Sequence, residues 1–258
     1  MSTLAQRQAL ESVFDGATYT ITFNDPARNN KITVAMMRRF IELLREAHHL
    51  DALLLVIQAE GDDFCLGRDQ GERDTRLTRE QSLRLILEAN TLLTSFPGVT
   101  ISVVQGRAFG FGAGLAAQCD LTIAEDSARF AFDEINHGLA PLVVAEYLPR
   151  YVGTKMAREL ILTGRVLAAN EACRAGIVSR VVQTQHLHNE LEALRAELLH
   201  FESGALRLMK RYSLDLDGGS MDSPSDEAVL RLDDWLERGR PGLPQGSAVE
   251  SDRTSMGR

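Results

Sequence analysis

The chain has 258 residues, 44% of them hydrophobic, enough for one α/β domain with a sizeable core and too apolar for a disordered protein. Its formal net charge is −8 with acids and bases interspersed, which disfavours a nucleic-acid binder, whose surface would carry a basic face. The three cysteines, Cys65, Cys119 and Cys173, are widely spaced, form no CxxC pair and join no histidine cluster, so neither a metal site nor a disulfide framework is indicated.

An odd cysteine count suits a reducing compartment. The N-terminal MSTLAQRQALESV lacks a basic region followed by an apolar one. No apolar run approaches the ~18 residues of a membrane span. The expected setting is the cytoplasm, with no membrane or nucleic-acid partner.

In chain order, Ala17–Asn24 alternates and is rich in β-branched residues, which predicts a strand ended by Asp25-Pro26. Thr33 is a good N-cap for a helix over Val34–His48, with Met36, Met37, Phe40, Leu43, Leu44 and Ala47 at helical spacing. Ala52–Ala59 is a continuous apolar run of strand length, the pattern of a strand covered on both faces. Gly61 to Glu72 reads as a loop, and Thr78 to Ser95 as an amphipathic helix stopped before Pro97. The charged stretch Gln70–Arg79 is a candidate lid.

Thr100–Gln105 predicts another strand, followed by a glycine-spaced turn and a short helix over Gly112–Gln118. Leu121–Ala124, Ala128–Phe132 and Val178–Val182 predict strands. Val143–Val152, Lys155–Leu162, Asn170–Ala175 and His186–Lys210 predict helices, the third closed by Gly176. Beyond them, Asp215–Asp226 is rich in Asp, Gly and Ser. A short helix over Glu227–Arg238 carries Trp235, the single tryptophan, and Pro244 to Arg258 reads as a disordered tail. Repeated strand–strand–helix units predict an α/β fold built by stacking turns.

The most informative stretch is Val103 to Gly138. Its glycine turn can present backbone N–H groups to a developing negative charge, and Glu134 can move a proton. Together they suit enolate chemistry. Taken alone, such a turn is more often an ordinary entry into a helix.

Five segments in register resemble the crotonase superfamily, the enoyl-CoA hydratases and isomerases. They are NDPARNNKIT (Asn24–Thr33), DDFCLGRD (Asp62–Asp69), the glycine turn through Asp120, FAFDEINHGLAP (Phe130–Pro141) and LTGRVLAANEACRAGIVSRVV (Leu162–Val182). The resemblance implies a crotonase-like spiral of ββα turns with a C-terminal helical oligomerisation region. It divides the chain into a core (1–200), a helical region (201–243) and a tail (244–258), and implies a homotrimer or a hexamer of stacked trimers.

The same resemblance places an oxyanion hole at the backbone N–H groups of Leu66 and Phe111 and the catalytic acid at Glu134. It puts substrate-binding positions at Arg28, Lys31, Leu66, Gly67, Arg68, Asp69, Gly110, Gly112, Gly114 and Pro141. The substrate is an acyl-CoA thioester, with coenzyme A as part of it and no cofactor or metal. Phe111 stands where the family commonly has glycine, so its side chain must point away from the thioester or narrow the acyl pocket.

The two-carboxylate hydratases of the family carry a glutamate at the position of Gly114, and Asp133 is expected to point away from Glu134 because side chains alternate along an extended segment. A single acid suffices to shuttle a proton between two carbons. The expected reaction is therefore isomerisation of a 3-enoyl-CoA to a 2-enoyl-CoA. Alternatives are hydration of a 2-enoyl-CoA with an unidentified second group, or a non-catalytic acyl-CoA-binding protein. His137 reads as a polar loop residue, and the run from Leu214 to Ser225 as the remnant of a shortened helix that leaves the pocket open.

Overall fold

The computed structural model describes residues 9–72, 76–219, 221 and 223–239. Residues 73–75 of the candidate lid and the tail 244–258 lie outside them. Two compact units emerge, Met1–Leu199 and His200–Arg258.

In the first unit, β1 (Leu10–Phe14) and β2 (Thr18–Phe23) form an antiparallel pair. Helix α1 (Val34–His49) follows, then β3 (Leu54–Ala59), α2 (Arg79–Thr94) and β4 (Val99–Val104). The short β5 (Arg107–Phe109) leads into α3 (Phe111–Gln118), β6 (Leu121–Glu125) and β7 (Arg129–Ala131). Helices α4 (Leu142–Val152) and α5 (Thr154–Thr163), then β8 (Leu167–Ala168), α6 (Ala169–Ala175), β9 (Arg180–Val182) and α7 (Leu187–His200) complete it. Among the described residues no helix is long and apolar enough to cross a membrane.

The main sheet has the order β1-β2-β3-β4-β6-β9, parallel from β2 onward, and a second sheet has the order β5-β7-β8. Strand β3 explains why its run is apolar without alternation. Leu55 and Ile57 enter the core shared with α1 and α2, whereas Leu54 and Val56 meet Leu191, Leu194 and Leu198 of α7 on the other face. Both faces are covered, so both sets of side chains are apolar.

Local signals set the helix starts. The Thr33 hydroxyl accepts from the Met36 N–H, and the Val34 N–H donates to Glu72 at 2.6 Å, which adds a negative charge at the N-terminus of α1. Thr78 and Gln81 form a complete capping box on α2. Three strands have no counterpart in the sequence reading. Only Leu10 of β1 is buried, so this edge strand carries no usable pattern, and β5 and β8 are too short to show one.

The second unit differs from the expected shortened helices. Helix α8 (Ser203–Asp217) continues through the acidic run, and α9 (Pro224–Glu237) starts at a proline suited to a first helical turn. Arg231 of α9 reaches Asp215 of α8 at 2.6 Å, and the Tyr212 hydroxyl donates to the Pro224 carbonyl at 2.8 Å. These ties hold α9 against the end of α8, where local composition alone reads as loop.

Candidate active site

The segment read as a loop, Gly61 to Glu72, is stitched on both sides as an extended chain. Cys65 bridges to Ala108 of β5 and Arg68 bridges to Ile32. The Cys65 N–H donates to the Arg107 carbonyl at 3.1 Å and the Phe109 N–H to the Cys65 carbonyl at 2.9 Å, while the Ile32 N–H donates to the Gly67 carbonyl at 2.8 Å. Two buried anchors hold this arrangement. Asp63 receives Arg107 through Nε at 2.7 Å and a terminal nitrogen at 2.6 Å. Asn30 donates to the carbonyls of Glu60 and Asp63.

Gly67 therefore lies against the glycine turn: a Cβ there would stand 3.2 Å from the Phe109 carbonyl and 3.6 Å from the Phe111 nitrogen. Gly110 has φ 50°, in the left-handed region, and turns the chain from β5 into α3. A Cβ on Gly112 would stand 2.3 Å from the Cys65 carbonyl, so α3 rests directly on that backbone.

The two expected oxyanion-hole amides differ in state. Phe111 opens α3, where an amide has no intrahelical acceptor, and among the described residues its N–H has no partner. The Leu66 N–H donates to the Asn29 carbonyl at 3.2 Å. For Leu66 to hold a substrate oxygen, that oxygen must replace Asn29. The Phe111 ring sits edge-on to Phe40 of α1, with ring centres 6.3 Å apart at 89°, so the side chain packs on the core.

Glu134 begins a short 3-10 turn, Glu134–His137, closed by Gly138. One carboxyl oxygen lies 3.6 Å from the Cβ position of Gly110, which brings the acid to the glycine turn. The other oxygen, Oε2, is buried without a hydrogen-bond partner. Burial raises the Glu134 pKa most, its own backbone N–H lowers it, Asp133 raises it and His137 lowers it.

Asp133 does not point away. Its Oδ1 also lies 3.6 Å from the Cβ position of Gly110, because the backbone at Asp133 (φ −97°, ψ 12°) is turning and not extended, so alternation fails. His137 Nε2 lies 3.2 Å from Asp133 Oδ2, giving this histidine a partner beside the site.

At Gly114 no acid is present, and a tyrosine fills the space. A Cβ on Gly114 would stand 2.5 Å from the hydroxyl oxygen of Tyr147 on α4. Sequence reasoning missed this residue because Val144, Tyr147 and Leu148 recur at core spacing, and Tyr147 reads as packing.

Arg28 is exposed and donates to Asp25 at 2.7 Å, Lys31 is half-buried, and Arg68 donates to the Ser82 hydroxyl of α2 at 2.9 Å. Asp69 accepts from the Gly71 N–H at 2.9 Å and so fixes its own loop. Pro141 caps the start of α4.

Known proteins share this frame. The family model described as Enoyl-CoA hydratase/isomerase matches residues 14–216. The chain belongs to the enoyl-CoA hydratase/isomerase family, within the crotonase superfamily. A Thermus thermophilus relative in this family is 32% identical over 224 residues, covering 83% of this chain and 87% of its own. The crystal structure of a Mycobacterium smegmatis enoyl-CoA hydratase superposes with a TM-score of 0.84 at 26% identity, over 91% of this chain and 93% of that one. A Thermobifida fusca relative solved in complex with CoA is similar at 29% identity and a TM-score of 0.77, over 90% and 93% of the two chains. Family membership makes this an enoyl-CoA hydratase/isomerase enzyme with the crotonase fold.

Proposed function

We propose that the protein forms a thioester enolate from an enoyl-CoA and that Glu134 carries the proton, the net reaction being isomerisation of a 3-enoyl-CoA to its 2-enoyl isomer. The observation that carries this reading is the meeting of a half-buried carboxyl group with raised proton affinity and an unpaired amide, Phe111 N–H, around the bare backbone of Gly110. Glu134 takes the proton from the carbon next to the thioester, the charge moves to the thioester oxygen, and the same proton returns two carbons further along. A fixed amide stabilises that charge without reorganising and is worth ~3–4 kcal/mol. Leu66 N–H becomes the second donor when the substrate oxygen displaces the Asn29 carbonyl.

The CoA portion belongs to the same proposal, supported by the T. fusca relative solved with CoA. Backbone groups along Leu66–Asp69 are assigned the adenine, with Arg28, Lys31 and Arg68 near its phosphates. Gly110, Gly112, Gly114 and Pro141 are assigned the acyl end. No cofactor beyond the CoA of the substrate is required. The C-terminal helices are assigned to a homotrimer, single or stacked, which sedimentation would test. A cytoplasmic location is part of the same reading.

Hydration is the second reading, favoured by the enoyl-CoA hydratase name of the M. smegmatis protein. The deciding experiment is exchange of the α-proton of an acyl-CoA in heavy water, followed by product analysis with 3-enoyl and 2-enoyl substrates. Exchange that vanishes in Glu134→Gln supports the enolate reading. Wild-type protein that binds the thioester and exchanges nothing overturns it.

A further inference from the structure

Gly110 and Gly114 are joined by a helical hydrogen bond of 3.0 Å, so they lie on one face of the turn that opens α3. Both lack side chains, and each is overlain by a polar group from another element. A Glu134 oxygen stands 3.6 Å from the Cβ position of Gly110, and the Tyr147 hydroxyl 2.5 Å from that of Gly114. The two groups thus face one strip of bare backbone about one helical turn, ~5 Å, apart. Phe111 N–H, the unpaired amide, lies between them in the chain.

Neither group is satisfied. Glu134 Oε2 is buried and unpartnered, and the Tyr147 hydroxyl, on a residue that is 6% exposed, makes no hydrogen bond among the described residues and is not itself fully enclosed. A carboxyl oxygen buried in this way ordinarily finds a partner. A carboxylate that accepts and a phenol that donates complement a single ligand oxygen, which can donate to one and accept from the other. Gln118 Nε2, also near Gly114, is already committed to the Gly114 carbonyl at 3.0 Å.

We propose that Tyr147 is a further catalytic residue, whose hydroxyl donates a hydrogen bond to the oxygen that joins or leaves the third acyl carbon opposite Glu134. This rests on the enolate reading of the site with hydration, the second reading above, as the net reaction. In the forward direction a water oxygen bonds to the third carbon, and its proton passes to the Glu134 carboxylate. The C2–C3 double-bond electrons move toward the thioester, whose oxygen takes the charge. Glu134 then returns the proton to the second carbon, so that one water has been added and Tyr147 keeps its own proton. Burial and then the Glu134 charge hold that proton on the phenol, which suits a donor and not a base.

The test compares hydration of a 2-enoyl-CoA with α-proton exchange in wild type, Tyr147→Phe and Gly114→Ala, each checked by thermal unfolding. The added methyl of Gly114→Ala displaces the hydroxyl without altering Tyr147 or Glu134. We expect the ratio of hydration to exchange to fall about 100-fold in both variants. Equal loss of both reactions, or no loss of either, overturns the role of Tyr147. Wild-type exchange without any hydration also overturns it while leaving the enolate reading standing. Absence of exchange in wild type defeats that reading itself and the Tyr147 role with it.

Discussion

Asp133 and Glu134 are neighbours in the chain whose carboxyl groups approach the same point, each with an oxygen 3.6 Å from the Cβ position of Gly110. Two acids side by side at a bare backbone oppose each other's ionisation, and Asp133 is one of the causes that raise the Glu134 pKa. The base form of Glu134 is the ionised one, so activity rises with pH through its pKa. Asp133→Asn removes the neighbouring charge and is expected to move the acidic limb of the kcat/KM profile to lower pH. His137→Ala removes a lowering influence and is expected to move it to higher pH. A pH–rate series on the two variants checks both signs.

Glu134→Gln is expected to stabilise the fold while abolishing proton transfer. The folded pKa lies above the ordinary value of 4.5, so the stability that depends on the protonated acid is complete below 4.5 and is lost as pH rises through the raised value. The glutamine has no charge to bury and loses nothing over that window. The variant's Tm should therefore exceed that of wild type near pH 7, and the difference should shrink to nothing below the ordinary carboxylate pKa. Thermal melts at both pH values read this directly.

Phe111 separates backbone from side chain. Phe111→Pro removes the N–H at the first helical position, where proline is tolerated, and is expected to cost about 100- to 1,000-fold in α-proton exchange. Phe111→Ala keeps the N–H and loses the edge-on contact with Phe40, so it is expected to cost about 1–3 kcal/mol of stability with far smaller loss of exchange. Circular dichroism and denaturant unfolding accompany the exchange assay.

The Asp63–Arg107 pair is asymmetric, with side-chain exposures of 7% and 47%. Arg107→Met strands a buried carboxylate and is expected to destabilise by about 2 kcal/mol or more, whereas Asp63→Asn leaves an arginine that reaches water and costs less. The Arg107 hydrogen bond, ahead of other influences, holds Asp63 below its ordinary 3.8, so this stabilisation is present above pH 3.8 and is lost as pH falls through the depressed value. Unfolding curves at pH 7 and at acid pH should show the Arg107→Met penalty shrinking toward the acid end.

What the amino-acid sequence determined by itself is local and periodic. The Thr33 cap, the Thr78 start of α2, the two-faced apolar run of β3 and the left-handed Gly176 that closes α6 each follow from a few neighbouring residues. The glycine turn and Glu134 were likewise legible, since their spacing is a property of one segment. Tertiary structure decided what depends on meetings between distant segments. It aimed Asp133 at Gly110 by turning a backbone that alternation reads as extended. It engaged the Leu66 N–H with the Asn29 carbonyl, carried α8 through an acidic run by pairing Asp215 with Arg231, and placed Tyr147 over Gly114. Helical periodicity shows that Tyr147 is buried, but only the packing of α4 on α3 shows that its hydroxyl occupies the space a side chain at Gly114 would need. The physical reason is that periodicity encodes which face turns inward, whereas the identity of the polar atom across the cavity is set by the non-local fold.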